Sequence, residues 1–161
     1  MFNTVFLKNI FMRRFFWTNT QGKGADSALL IFRVGLAAMM LTHGIPKIDK
    51  LFGEDPVMFA SVFGFTPVTS LALAIFVEVG CSVLLIFGLS TRFATLMLAA
   101  TMGVAAFQVM AGQPFGAREL PILYLLGFVT IFILGAGKWS VDYYLGKRPV
   151  ITKVLPDLDL A

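Results

Sequence analysis

The sequence is poor in the side chains that build redox and metal centres. It contains one cysteine, Cys81, and one histidine, His43. A single thiol excludes an internal disulfide, a C-x-x-C pair and an iron–sulfur or cysteine-rich zinc site within the chain, and a single imidazole excludes a haem held by two histidines. Motifs for nucleotide phosphates and hydrolytic nucleophiles are also absent. We therefore expect no catalytic residue, no metal site and no intrinsic cofactor, so that any redox chemistry would need a partner or a diffusible molecule such as a quinone.

Charged residues are equally scarce. They make up 14% of the 161 residues, whereas soluble domains have about 25%, and the mean hydropathy is +0.85. Four apolar runs with very few charges are long enough to cross a bilayer. They are Ser27–Ile45, Val68–Leu89, Phe93–Ala111 and Leu120–Gly137. The sequence therefore predicts an all-α membrane protein, a bundle of four transmembrane helices with no separate soluble domain.

Turn-forming residues predict the boundaries of these spans. The His43–Pro46 stretch is expected to end the first span, and the apolar Val57–Phe63 stretch after Pro56 is too short to cross the membrane. We expect this stretch to form a short interfacial helix on the extracytoplasmic side, between helices 1 and 2. Residues 1–24 are interpreted as a cytoplasmic or interfacial segment, residues 25–142 as the transmembrane domain, and residues 143–161 as a cytoplasmic tail.

The distribution of basic residues predicts the orientation. With both termini in the cytoplasm, nine lysines and arginines outside the spans lie on that side and three, Lys47, Lys50 and Arg118, lie on the other. This imbalance follows the positive-inside rule for the inner (plasma) membrane of a bacterial-type cell. The net charge of +4 then reflects residues beside an anionic leaflet, and no nucleic-acid partner is needed to explain it.

Two ionisable residues lie deep within the predicted spans, Arg33 in the first and Glu78 in the second. An ionised side chain in hydrocarbon costs roughly 2.5–3.5 kcal/mol on insertion scales, so such residues usually face the protein interior and find partners there. We expect Arg33 and Glu78 to form a buried ion pair. The pair could serve a function or only set the register of the helices.

Four further polar residues are expected near the extracytoplasmic surface. His43, Lys47, Gln108 and Glu119 come to similar depth from three different helices, counted at 1.5 Å per residue. They could line a polar pocket that opens outward, with the Val57–Phe63 stretch as a lid. Together with Arg33 and Glu78, they are the candidates for ligand binding or proton transfer.

Several short motifs, taken in order and spacing, resemble the DoxX family of small four-helix membrane proteins. The resemblance runs from about Leu29 to Asp142. The motifs are Arg33-Val34-Gly35, His43-Gly44 with Lys47, Glu78-x-Gly80, Gly88-Leu89-x-Thr91-Arg92, Glu119 with Leu123-Tyr124-Leu125, and Gly135-x-Gly137-x-Trp139-Ser140-x-Asp142. At Lys138-Trp139 the chain departs from the family, which often has proline there with tyrosine or arginine variants.

The resemblance implies association with quinol oxidase, thiosulfate–quinone oxidoreductase or oxidative-stress complexes. The expected function is therefore that of a small accessory subunit of a quinone-linked oxidoreductase complex, partnered by other membrane or peripheral subunits and not catalytic alone. The alternative is a non-redox carrier, receptor or assembly factor that binds a small molecule, lipid or client protein in the polar pocket. Both alternatives place the chain in the lipid bilayer, and both allow a homo-oligomer.

The predicted orientation can be tested by cysteine labelling. Single cysteines introduced at Lys50 and at Lys153 in a Cys81→Ser background should react with an impermeant maleimide from opposite sides of the membrane, because the topology places Lys50 outside and Lys153 inside. Labelling of both positions from the same side of oriented vesicles would contradict the topology.

Overall fold

The computed structural model describes residues 22–146, and every regular element in that range is helical. Four of the described helical stretches are long and apolar enough to span a membrane. Span 1 is Lys23–Phe52, span 2 Pro67–Phe87, span 3 Thr91–Val109 and span 4 Phe115–Leu134, and a short helix follows at Val141–Gly146. The predicted four-helix membrane bundle is confirmed. Most of the predicted terminal segments, and half of the twelve basic residues used to orient the chain, lie outside the described residues.

We call the two ends of the bundle the terminal end and the distal end. The terminal end holds the start of span 1, the turn between spans 2 and 3, and the short helix at Val141–Gly146; the distal end holds Phe52, Pro67 and Phe115. Spans that alternate in direction put residues 22 and 146 at the same end of the bundle, as the topology requires.

Span 1 is longer than predicted, since it continues through Pro46 to Phe52. A proline removes one backbone hydrogen bond of the helix, and membrane helices tolerate this loss where neighbouring groups compensate. Here the residues beyond the proline are held by contacts to span 2, notably through Lys47. The expectation that His43–Pro46 ends the helix is therefore wrong, and Lys47 stays in helical register with the rest of span 1.

The connection between spans 1 and 2 contains no helix, so the predicted interfacial helix at Val57–Phe63 is also wrong. The segment contacts the start of span 2 instead. The backbone N–H of Val62 donates to the Ser70 hydroxyl at 3.2 Å, and a turn with positive φ at Phe63 and Gly64 brings the chain back to span 2. Thr66 then caps that span by accepting from the N–H of Thr69 at 3.3 Å.

Two of the spans contain π-helical segments, at Phe76–Cys81 in span 2 and at Ala105–Val109 in span 3. A π-helical turn inserts an extra residue and displaces the side chains that follow it, and such turns are frequent at functional sites. The segment in span 2 contains Glu78, the buried acidic residue of that span.

The turn between spans 2 and 3 is a tight helix cap. Gly88 adopts a left-handed conformation (φ 67°), with Gly88 N–H donating to Leu85 O and Leu89 N–H to Leu84 O, the pattern of a Schellman motif. Two residues later, both oxygens of the Asp142 carboxylate accept backbone N–H groups at the start of span 3, from Ser90 at 2.7 Å and Thr91 at 2.8 Å. Asp142 therefore caps span 3 from a distant part of the chain.

The segment after span 4 is fastened to the terminal end by further contacts. Asp142 N–H donates to Gly88 O at 2.9 Å, and the Lys138 ammonium pairs with the buried Asp26 carboxylate at 3.1 Å. These contacts join the end of the described chain to spans 1, 2 and 3. They give a physical role to Asp142 in the motif that follows the last span.

Gly88 gives a direct test of this terminal packing. Its φ favours glycine, and a Cβ there would overlap the Arg33 guanidinium and lie 2.6 Å from Ser140 Cβ. We expect Gly88→Ala to lower the free energy of unfolding in detergent by at least about 2 kcal/mol, through backbone strain and displacement of Arg33. Thermal unfolding of the purified protein measures it.

Gly103→Ala is the matched control, because a Cβ at Gly103 of span 3 meets nothing within 4 Å. This change should leave stability equal or raise it by about 0.5–1 kcal/mol. Equal losses from the two substitutions would contradict the account of the terminal end.

Candidate functional site

Arg33 and Glu78 do not pair, so that part of the sequence-based interpretation is wrong. The fully buried Arg33 guanidinium donates to two backbone carbonyls at the terminal end, Leu85 O at 2.8 Å and Trp139 O at 2.7 Å. Glu78 pairs with Lys47 instead. The two charges predicted to meet therefore belong to opposite halves of the bundle.

The direction of side chains on a helix accounts for this outcome. Each Cα–Cβ bond in an α-helix tilts toward the N-terminus of its own helix, and long side chains follow that direction. Arg33 therefore extends toward the terminal end, where span 1 begins. Glu78 extends the other way, toward the start of span 2 at the distal end, and Lys47 extends inward from the distal end to meet it.

The ion pair between Lys47 and Glu78 is the centre of the candidate site. The Lys47 Nζ atom lies 2.5 Å from Oε1 and 2.6 Å from Oε2 of Glu78, so both carboxylate oxygens are engaged. The Glu78 side chain is 3% exposed and that of Lys47 is 25% exposed, which leaves the lysine as the outward member of the pair. Charge compensation of this kind is what permits an acidic residue at this depth.

One residue of the stretch that was expected to act as a lid contacts the ion pair. The ammonium group of Lys47 lies 5.8 Å from the centroid of the Phe59 ring, within the range of a cation–π interaction. Phe59 belongs to the non-helical connection between spans 1 and 2. A non-helical segment therefore contacts Lys47 of the ion pair.

Gly44 lets spans 1 and 2 approach closely at this level. A Cβ there would lie 2.8 Å from Val79 Cγ2 and 3.2 Å from Glu78 Cβ. Only glycine fits this spacing without displacing the neighbouring helix, and Lys47 follows three residues later on the same side of span 1. The His43-Gly44 and Lys47 motif therefore has a steric as well as an electrostatic basis.

On the side of span 4, His43 contacts Tyr124. Their rings are 5.7 Å apart between centroids and nearly perpendicular, an edge-to-face arrangement. Tyr124 is 4% exposed, and its hydroxyl is buried without a hydrogen-bond partner in the described part of the chain. A buried hydroxyl in this state carries a desolvation penalty, which a ligand offering an acceptor would relieve.

Sequence reasoning did not select Tyr124 as a candidate. The available signal was its position, because tyrosine in membrane helices is concentrated at the bilayer interfaces. Tyr124 instead lies at the middle of span 4, nine residues after Phe115 and ten before Leu134. A tyrosine at that depth requires a partner for its hydroxyl or a functional reason.

The structure divides the six predicted site residues into three groups. His43 contacts Tyr124 and Lys47 pairs with Glu78, and we call these four residues the distal cluster, in which His43 is exposed. Arg33 is at the terminal end. Gln108 and Glu119 are exposed near the distal ends of spans 3 and 4 and stand outside the cluster. Among residues 22–146, no group of three or more histidine, cysteine or acidic side chains is placed to hold a metal ion.

Comparison with known proteins gives consistent matches. A family model described as DoxX matches residues 28–111. An uncharacterized protein of Haemophilus influenzae is 31% identical over 134 residues, covering 79% of this chain and 89% of its own. The Escherichia coli "Inner membrane protein YqjF" is 30% identical, covering 76% and 95%. The Bacillus subtilis "Putative oxidoreductase CatD" is 26% identical, covering 78% and 92%. No solved structure matches the chain.

A double-mutant cycle tests the pairing in the distal cluster. Lys47→Met should lower the free energy of unfolding by about 3 kcal/mol, because it leaves the Glu78 carboxylate buried and uncompensated. The double change Lys47→Met with Glu78→Gln should cost less than the sum of the single changes by about 2 kcal/mol. Chemical or thermal unfolding in detergent supplies the four stabilities.

The control cycle uses Arg33→Met with Glu78→Gln. These two residues have separate partners, so their effects should add within about 0.5 kcal/mol. Coupling between Arg33 and Glu78 in place of Lys47 and Glu78 would restore the pairing expected from sequence and contradict the structure.

Proposed function

This chain belongs to the DoxX family, and on that premise we propose that it is a small integral membrane subunit of a quinone-linked redox system. In this proposal the distal cluster binds the quinone ring, and the electrons are exchanged with a partner protein. The chain itself is a multi-pass protein of the inner membrane, as its four apolar helices and its similarity to an inner membrane protein indicate.

The observation that carries the proposal is the Tyr124 hydroxyl. It is a hydrogen-bond donor, buried and unpartnered among the described residues, at the middle depth of a membrane span. A quinone carbonyl is an acceptor on an uncharged ring and can reach such a depth without the cost of burying a charge. The His43 imidazole, in contact with the tyrosine ring, is a second titratable group beside the same position.

The ion pair adds a means of handling protons. When bound, a quinone would supply two-electron, two-proton redox chemistry. Lys47 and Glu78 form a charged pair one helical turn from His43, and Lys47 is partly exposed on the distal side. Transfer of a proton from the Lys47 ammonium to the Glu78 carboxylate would leave both groups neutral, and Lys47 could then take up a proton from the distal surface, so the pair is suited to pass protons between that surface and Glu78.

The name of one relative supports the redox class without identifying the reaction. One relative carries the word oxidoreductase in its name, and the similarity extends over most of both chains. A single histidine and a single cysteine cannot assemble a two-histidine haem or an iron–sulfur centre within one chain. The proposal therefore assigns electron transfer to a partner and quinone binding to this subunit.

The test is quinone binding to the purified full chain in lipid nanodiscs. Wild-type protein should bind a membrane quinone saturably, and Tyr124→Phe should weaken binding about fivefold, because it removes one neutral hydrogen bond worth about 1 kcal/mol. Tyr144→Phe is the matched control, since Tyr144 is exposed on the short terminal helix. It should leave the affinity unchanged.

Two results of the quinone-binding test would contradict the proposal, each in a different part. Absence of saturable quinone binding by wild-type protein would refute the proposal. Equal quinone affinities of wild type and Tyr124→Phe would show that the Tyr124 hydroxyl of the distal cluster does not bind the quinone ring. The protein purified from native membranes would then be examined by mass spectrometry. A different amphiphile or a client protein that copurifies with it in stoichiometric amount would support the carrier or receptor alternative.

A further inference from the structure

A groove runs along the surface of the bundle between spans 1 and 4. Its volume is about 400 Å³, and the residues along it include Phe32, Leu36, Met39, Tyr124, Gly127 and Thr130. Phe32 and Met39 are exposed, so the groove opens on the side of the bundle that the hydrocarbon of a bilayer surrounds. Along span 4 it extends over ten residues, from Leu120 to Thr130, which is about 15 Å.

Gly127 forms the floor of this groove. A Cβ at Gly127 would lie 2.7 Å from Leu36 Cδ2 and 3.5 Å from Phe32 Cζ. The missing side chain therefore allows Leu36 to sit against the backbone of span 4, and spans 1 and 4 pack closely beneath the groove.

Two residues that line the groove, Tyr124 and Thr130, carry hydroxyl groups, and that of Tyr124 is buried. Thr130 Oγ1 donates to Leu126 O at 2.8 Å, so its hydroxyl has a partner within its own helix. The Tyr124 hydroxyl has none in the described range. An occupant that matches this pattern has a hydrogen-bond acceptor at Tyr124 and an apolar chain that extends toward Thr130.

A phospholipid and an uncharged ring with a hydrocarbon chain both fit this description, and the depth of Tyr124 in the membrane distinguishes between them. Tyr124 lies about 14 Å from the distal end and about 15 Å from the terminal end of span 4, close to the bilayer centre. The charged headgroup of a phospholipid remains at the interface, because an ion at the centre of the hydrocarbon is costly. An uncharged ring that carries a long hydrocarbon chain has no such restriction.

We propose that this groove holds the isoprenoid tail of a membrane quinone, with the ring at Tyr124 and the tail along span 4 toward Thr130. The inference rests on the proposed function for the ring, and it adds the site of the tail and a lateral route of entry from the bilayer. Because the lipid around the protein is as apolar as the groove, transfer of the tail gains little hydrophobic energy. Its contribution comes from van der Waals fit.

Two quinones and two variants test the proposal in nanodiscs. The quinones share one ring and differ only in the substituent, an isoprenoid tail or a methyl group. Thr130→Phe should fill the groove and weaken binding of the tailed quinone about tenfold, equivalent to about 1.4 kcal/mol, while binding of the methyl compound is unchanged. Val129→Phe introduces the same side chain at the neighbouring exposed position, which is not among the groove residues, and should change neither affinity.

Photocrosslinking of the unmodified protein gives an independent measurement. A quinone with a diazirine at the far end of its tail should label Phe32, Leu36 or Thr130, identified by mass spectrometry. Labels spread evenly over the exposed residues of all four spans would overturn the proposal. So would equal labelling of the groove by a phospholipid with a diazirine in its acyl chain, since the groove would then be an ordinary lipid contact.

The results also separate this inference from the proposed function. If the methyl compound binds in a Tyr124-dependent way but Thr130→Phe has no effect on the tailed quinone, the tail site is wrong and the ring site stands. If neither quinone binds, yet a diazirine-bearing isoprenoid alcohol labels the groove selectively, the tail site stands and the quinone function is wrong.

Discussion

The ion pair between Lys47 and Glu78 is the interaction on which the arrangement of the distal half depends. A carboxylate this deeply buried needs compensation from within the protein, and Lys47 supplies it through both oxygens. To do so, span 1 must remain helical beyond Pro46 and must lie close to span 2, which Gly44 allows. The same helical turn then directs His43 toward Tyr124. One electrostatic requirement thus brings three spans together around the distal cluster.

In the terminal half, the buried charges are compensated by backbone groups. Arg33 has its guanidinium against two carbonyl oxygens, and Asp142 has its carboxylate against two N–H groups at the start of span 3. The N–H groups at the start of a helix have no carbonyl partner within that helix, so the Asp142 carboxylate satisfies two of them. These contacts fasten the terminal end. Buried side-chain atoms without a hydrogen-bond partner occur in both halves of the described chain: Arg33 Nε and Thr91 Oγ1 at the terminal end, and the Tyr124 hydroxyl in the distal cluster.

Much of this architecture could be predicted from the sequence, and the failures have identifiable causes. Long apolar runs predicted the four spans because length and hydrophobicity alone decide what can cross a bilayer. The pairing of Arg33 with Glu78 failed because depth was considered without the direction of the side chains, which point toward opposite ends of the bundle. The prediction that span 1 ends at His43–Pro46 was wrong because Pro46 was taken as the end of the helix. Contacts made by later residues hold the helix beyond the proline. Tyr124 carried no charge and matched no catalytic motif, so only its burial and missing partner indicate a role.

The central claim is that the distal cluster and the groove beside it bind a quinone, with the ring held at Tyr124. Solid-state NMR of a quinone ¹³C-labelled at its carbonyls, bound to the full chain in nanodiscs, tests this claim most directly. The account predicts a bound species with two distinct carbonyl shifts, one displaced by the tyrosine hydrogen bond, and loss of that displacement in Tyr124→Phe. Carbonyl shifts identical to those of the quinone in protein-free lipid would contradict it.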